Sequence, residues 1–157
     1  MESFGRKGRL EDARMLTGSG RYVSDWNFAG QAYGHFLRSD RAHARIVSID
    51  ASAALAMAGV LAVLTGKDVL AAGQKPMPAA APMKGRGGAD QKVPPRYSLT
   101  PDCARYVGEP VALIVAETAA QAQDAAEAVV VDYEELPAVL TAQAALAAGA
   151  PLLHDSV

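Results

Sequence analysis

Histidine is the commonest side-chain base and metal ligand near neutral pH, and the chain has three: His35, His43 and His154. His35 and His43 belong to neighbouring expected strands, so their rings could meet. No cysteine or carboxylate stands at ligand spacing beside them. No His-x-x-x-His pair puts two imidazoles on one helix face. His35 therefore reads as packed in a sheet, and His43 as closing a loop through a hydrogen bond to backbone. Paired carboxylates occur at Glu11-Asp12 and Glu134-Glu135. Successive strand residues point to opposite faces, so Glu134 and Glu135 cannot flank one bond, and they read as solvated charges. Ser19, Ser24, Ser39 and Ser98 lack the Gly-x-Ser-x-Gly setting of a hydrolase nucleophile. Cys103 is the single cysteine. It cannot form an internal disulfide or supply paired thiolates to zinc. It could be a nucleophile, but a small, partly buried hydrophobe is the simpler reading.

The glycine loops are no richer in chemistry. Gly18-Ser19-Gly20-Arg21-Tyr22-Val23 lacks the third glycine of a dinucleotide fingerprint and follows no strand. Lys84-Gly85-Arg86-Gly87-Gly88 is basic and could touch a phosphate, yet it opens no helix whose dipole would hold an anion. Met83-Lys84 matches the Met-Lys of biotin and lipoyl carriers, which place the lysine on a tight hairpin. No strand signal flanks it here, so it reads as a surface lysine.

The elements that must position these residues follow from period and punctuation. Little regular structure is expected before Gln31. Gln31 to Ser39 reads as a strand buried on both faces, and Ala44 to Asp50 as a second. Asp50 or Ser52 starts a short helix that Gly59 ends. Val60 to Thr65 is a strand, and Gly66 to Leu70 a brief helical turn. Residues 73–101 hold most of the prolines and read as a long, partly mobile loop. Gly108-Glu109-Pro110 is a tight bend before the strand Val111 to Ala116. Thr118 and Gln121 form a capping box for a helix whose buried side is alanine. Val129 to Glu134 is a strand, Pro137 to Leu140 a short edge strand, and Thr141 to Ala148 a last helical turn or two. Strands and helices do not alternate strictly, so the class is α+β around a mixed sheet with two main helices.

Composition excludes further classes. One hundred and fifty-seven residues fit one domain, and a hydrophobic half can bury a core. A net charge of −2 gives no basic field for nucleic acid. The uncharged run Ala51 to Gly66 contains two glycines and is too short for a membrane span. No apolar run follows the first residues, so no secretory leader is read. A soluble, cytoplasmic protein is expected.

Three segments, in order and spacing, resemble one family. They are Gly20-Arg21-Tyr22-Val23-Ser24-Asp25 followed by Gly30; Phe36 through Asp50, containing Arg38-Ser39, His43-Ala44-Arg45 and Ile49-Asp50; and Arg105-Tyr106-Val107-Gly108-Glu109-Pro110 through Thr118, continuing to Asp132-Tyr133-Glu134 and Leu136-Pro137. Together they are similar to the N-terminal α/β hammerhead domain of molybdenum hydroxylase large subunits, the xanthine dehydrogenase, aldehyde oxidase and carbon monoxide dehydrogenase family. The resemblance covers about residues 8 to 155. It departs at Ala29 and near Asp40-Arg41, where the family usually has proline and Ser-Pro, and at Thr100 to Ala104.

The resemblance implies a hammerhead domain at 20–157 behind a lead-in at 1–19. It implies a parent oxidoreductase acting on aldehydes, N-heterocycles or carbon monoxide. Its cofactor would be a molybdopterin, commonly in cytosine dinucleotide form, with iron–sulfur clusters and FAD on partner domains or subunits. The family's catalytic glutamate and cofactor loops belong to later domains, so no catalytic, cofactor-binding or metal-binding residue is carried over. Gly108 and Pro110 take a bend-forming role, Arg38 and Arg45 ion pairs, and His43 a loop anchor. Expected partners are the downstream molybdenum-binding domains, the iron–sulfur and FAD subunits, and self-association of the isolated domain. The alternative is a freestanding interaction module without redox activity. Only the former predicts an exposed apolar patch where missing domains dock.

Overall fold

A computed structural model describes residues 9–78 and 83–154. The N-terminal residues on which the leader reading rests lie outside them. The chain divides into two units, Met1–Gln31 and Ala32–Val157.

The first unit holds α1 (Asp12–Leu16) and a 3-10 turn at Val23–Asp25. These two short turns keep to the expectation of little regular structure before Gln31. Each is set by a local carboxylate: Asp12 accepts from Arg9 N–H at 2.8 Å, and Asp25 from Tyr22 N–H at 2.8 Å. Elements of three to five residues carry too little period to be read in advance. The Trp26 and Phe28 rings stack at 6.4 Å, with the Arg21 guanidinium 5.1 Å from the Trp26 ring centre.

The second unit runs β1 (Tyr33–Arg38), β2 (Ala44–Asp50), α2 (Ser52–Leu55), β3 (Val60–Thr65), α3 (Gly66–Ala71), β4 (Cys103–Ala104), β5 (Pro110–Ala116), α4 (Ala119–Glu127), β6 (Val130–Glu135) and α5 (Ala142–Ala145). The α+β class holds. The single mixed sheet does not: the strands form two sheets, β1-β5-β3 and β4-β2-β6, and every pairing is antiparallel. A parallel pair needs a crossover of a dozen residues or more. The link between β1 and β2 and the four-residue α2 are too short for one.

The core lies between α4 and the first sheet. Ala122, Ala125 and Ala126 of α4 meet Ala112, Ile114 and Ala116 of β5, with Leu37, Val60 and Val63 packed around them. Alanines let the helix lie close to the strands, as the sequence suggests. The α4 cap is half of a capping box. Thr118 Oγ1 accepts from Gln121 N–H at 3.2 Å, but the Gln121 side chain takes the Thr118 hydroxyl proton at 2.9 Å rather than the backbone N–H.

Three further expectations are corrected. β1 is buried on one face only: Tyr33, His35 and Leu37 are half-buried, while Gly34, Phe36 and Arg38 are exposed. Residues 137–140 form no strand. Leu136 N–H ends the ladder on the His43 carbonyl at 2.9 Å, and Pro137 has no N–H to continue it. Lys84 and Asp90 form an isolated antiparallel bridge around a 3-10 turn at Arg86–Gly88, so the basic glycine loop is a narrow hairpin. The Lys84 ammonium pairs with the Asp90 carboxylate.

Candidate assembly surface

The turn before β5 is built first from its glycine. Gly108 takes φ +94°, a conformation glycine adopts without strain. That aims Gly108 N–H at the Ser39 carbonyl (2.7 Å) and lets Ser39 N–H reach the Glu109 carbonyl (2.9 Å). The Arg38 guanidinium donates to the Gly108 carbonyl at 2.8 Å. The bend is thereby tied to the end of β1.

Arg105 then locks the inner side. It donates to the Leu153 carbonyl from Nε and to the Cys103 carbonyl from Nη1, both at 2.9 Å. Its backbone N–H donates to the Glu109 carboxylate at 2.5 Å. Thr100 fastens the adjoining strand, its hydroxyl donating to the Cys103 carbonyl at 2.6 Å. A cleft of about 360 Å³ lies here, lined by Leu70, Tyr97, Asp102, Arg105, Glu109 and His154. Arg105 and Glu109 are spent on holding the walls.

Electrostatics agrees with a structural role. Burial raises the Cys103 thiol above 9.0, so it is a poor source of thiolate. Burial also raises the Glu109 carboxyl above 4.5, against the pull of the Arg105 N–H and charge. Between the unfolded value near 4.5 and the higher folded one, the native state binds more protons than the unfolded state. This carboxyl therefore makes stability fall as pH rises through that window. Glu109→Gln is expected to remove the slope. Melting temperatures of both proteins across mildly acidic to neutral pH check it, and parallel curves would contradict it.

The residues singled out from the sequence separate as follows. His43 is 8% exposed and its Nδ1 lies 2.8 Å from the Pro137 carbonyl, the loop anchor expected. His35 sits on β1, in the other sheet from β2, so no strand pairing brings it beside His43. Arg45 pairs with its cross-strand partner Glu134 at 2.9 Å, and Arg41 with Glu135 at 2.8 Å. Both pairs are exposed and stabilise little. The ion pair expected of Arg38 gives way to the Gly108 carbonyl and the Phe36 ring, 5.8 Å from its guanidinium. Sequence reasoning missed Arg105 and Glu109 as a lock. The signal was a charged pair bracketing a glycine bend, legible only once the bend is known to be half-buried.

Apolar side chains stand out at both ends of the chain. Leu16, Val23, Leu140 and Leu146 are each between 81% and 92% exposed, and neither α1 nor α5 buries a residue.

A family model described as aldehyde oxidase and xanthine dehydrogenase, a/b hammerhead domain, matches residues 17–137. The chain belongs to that family. The nicotine 6-hydroxylase large subunit of Paenarthrobacter nicotinovorans is 42% identical over 146 residues, which are 92% of this chain and 17% of that protein. The carbon monoxide dehydrogenase large chain of Afipia carboxidovorans is 39% identical over 152 residues, 97% of this chain and 17% of the relative. Among solved structures, quinoline 2-oxidoreductase from Pseudomonas putida 86 superposes with a TM-score of 0.76 at 43% identity, covering 88% of this chain and 17% of that one. The chain thus spans about a sixth of the length of these relatives.

Within the hammerhead, the bend and its Arg105–Glu109 lock both fall inside the matched stretch. The described residues gather no group of three or more His, Cys, Asp or Glu able to hold a metal ion. No step at molybdenum is assigned to a residue of this hammerhead. No helix among the described residues is long and apolar enough to cross a membrane.

Proposed function

We propose that this chain is the structural hammerhead domain of a molybdenum-cofactor-dependent oxidoreductase large subunit, and that it is not catalytic in isolation. The parent reaction is oxidation of an aldehyde, an N-heterocycle or carbon monoxide, the chemistries named by the relatives. The parent's molybdopterin is taken to be the cytosine dinucleotide form. Electrons leave through iron–sulfur clusters to FAD on partner domains or subunits, in the cytoplasm. This stretch supplies a folded wall and docking surfaces.

The observation that carries the reading is that α1 and α5 bury nothing in this chain. A helix of four or five residues is far below the roughly 12–15 residues at which isolated helices become even marginal in water. Here they are held by local caps, and the exposed Leu16 and Leu146 beside them are open to a further surface. Amide hydrogen exchange tests it. In the isolated chain the amides of α1 and α5 are expected to exchange close to unprotected rates. In the molybdenum enzyme purified with this chain in it, they should slow by more than about tenfold. Equal exchange in both would contradict the docking role.

A further inference from the structure

The outer face of the first sheet has a composition that water does not explain. Along β5, Ala112, Ile114 and Ala116 point into the core, which leaves Val111, Leu113 and Val115 on the opposite side, with Val111 fully buried at the bend end and Leu113 and Val115 half-buried. Register extends that side across all three strands. Leu113 stands opposite Phe36 of β1 and Leu64 of β3, and Val115 opposite Gly34 and Ala62. Gly34 confirms the placement, because a Cβ added there would lie 3.1 Å from Leu113 Cδ1. Two rows of side chains, Phe36-Leu113-Leu64 and Gly34-Val115-Ala62, thus make one apolar surface. Phe36 is 42% exposed and Leu64 40%.

The second sheet is an internal control. Its exposed positions on β2 and β6 carry Arg45, Ser48, Asp50, Asp132, Glu134 and Glu135 beside Val47 and Val130, so polar and charged groups outnumber apolar ones there. The outer rows of the first sheet carry no charge between Phe36 and Leu64, as on a sheet covered on both sides. At the edge, the Arg38 guanidinium lies over the Phe36 ring, held by its bond to the Gly108 carbonyl, and starts a polar rim.

We propose that this face is the seat on which the rest of the molybdenum enzyme's large subunit packs. The inference rests on the function proposed above and adds the surface. Area decides between occupants. Three strands about 4.8 Å apart, with two rows over about four residues at about 3.4 Å each, present roughly 200 Å². A stable association of separate molecules takes about 800 Å² from each partner, so a second copy held by this face alone falls short. A polypeptide fastened to this domain by other contacts needs no more than such a patch. The relatives carry that polypeptide, since the matched stretch is 17% of their length.

Thiol labelling tests the proposal, with Leu64→Cys in the isolated chain and in the molybdenum enzyme purified with this chain in it. Buried Cys103 supplies little background. Labelling by a bulky maleimide, normalised to the rate in urea, is expected to be at least about 100-fold slower in the enzyme than in the isolated chain. Phe36→Cys, on the edge strand of the same row, should behave alike. This second position guards against a local effect of either substitution. Equal rates in an enzyme that still carries molybdenum would overturn this face as the seat and leave the proposed function standing. Protection in the isolated chain that grows with its concentration would name a second copy as the occupant and overturn the proposal. If the chain never purifies with a molybdenum enzyme, the proposed function fails and this inference with it.

Discussion

Ile114→Ala is expected to destabilise the chain by about 4 kcal/mol, the upper part of the range for large-to-small changes in a core. Ile114 is one of the two largest fully buried side chains and lies at the middle of the core cluster. Its neighbours there include Ala112, Ala116, Ala122 and Ala125. Alanines have no side-chain freedom with which to fill the space left by three carbons. The cavity therefore stays open, and the cost includes the cavity as well as the lost transfer energy. For a chain of this length about 4 kcal/mol lowers the melting temperature by roughly 8–16 °C. Thermal melts of both proteins check it. A shift under about 3 °C would mean that α4 collapses onto the sheet, contrary to the tight packing described.

Gly66→Ala is the second large effect, expected to cost about 3 kcal/mol, at the high end for overpacking. Gly66 opens α3, where alanine would ordinarily be favoured over glycine by about 1 kcal/mol. The surroundings oppose that gain. A Cβ at Gly66 would lie 2.3 Å from the Thr100 carbonyl oxygen and 2.4 Å from Pro101 Cα. Both are backbone atoms, and Thr100 is held on both sides, by its N–H to the Pro110 carbonyl and its hydroxyl to the Cys103 carbonyl. Neither can step aside without loosening the strand that leads into the bend, so the clash outweighs the propensity. A urea titration checks the sign: an unchanged or raised midpoint would show that the loop yields.

How far the sequence carries this fold depends on what each element is made of. Val60–Thr65 and Ala44–Asp50 are long apolar or alternating runs, and their bounds match the structure residue for residue. The Ala-rich face of α4 and the cap at Thr118 were equally legible, because caps and periods are local. Sheet partnership was not. β1 and β2 are neighbours in sequence, yet β1 pairs with β5 across more than seventy residues. Pattern within a strand says nothing of its partner, and the reading of one mixed sheet came from that gap. Cys103–Ala104, a two-residue strand, has no period at all.

The site was legible in a different way. His43 as a loop anchor, Arg45 as an ion-pair donor and Cys103 as a buried hydrophobe followed from residue type and setting. The Arg105–Glu109 lock and the Gly66 contact did not, because each joins segments whose meeting is decided by tertiary packing. The apolar outer face of the first sheet needed register. Phe36, Leu64 and Leu113 are ordinary strand residues until β5 is known to lie between β1 and β3.

The central claim is that this hammerhead contributes structure and docking while the redox chemistry belongs to the polypeptide it packs against. Elemental analysis of the purified 157-residue chain, paired with a dye-reduction assay on aldehyde, N-heterocycle and carbon monoxide, tests that most directly. Background molybdenum and no turnover on any of the three are expected. Stoichiometric molybdenum bound to the isolated chain, with turnover of any one substrate, would contradict it.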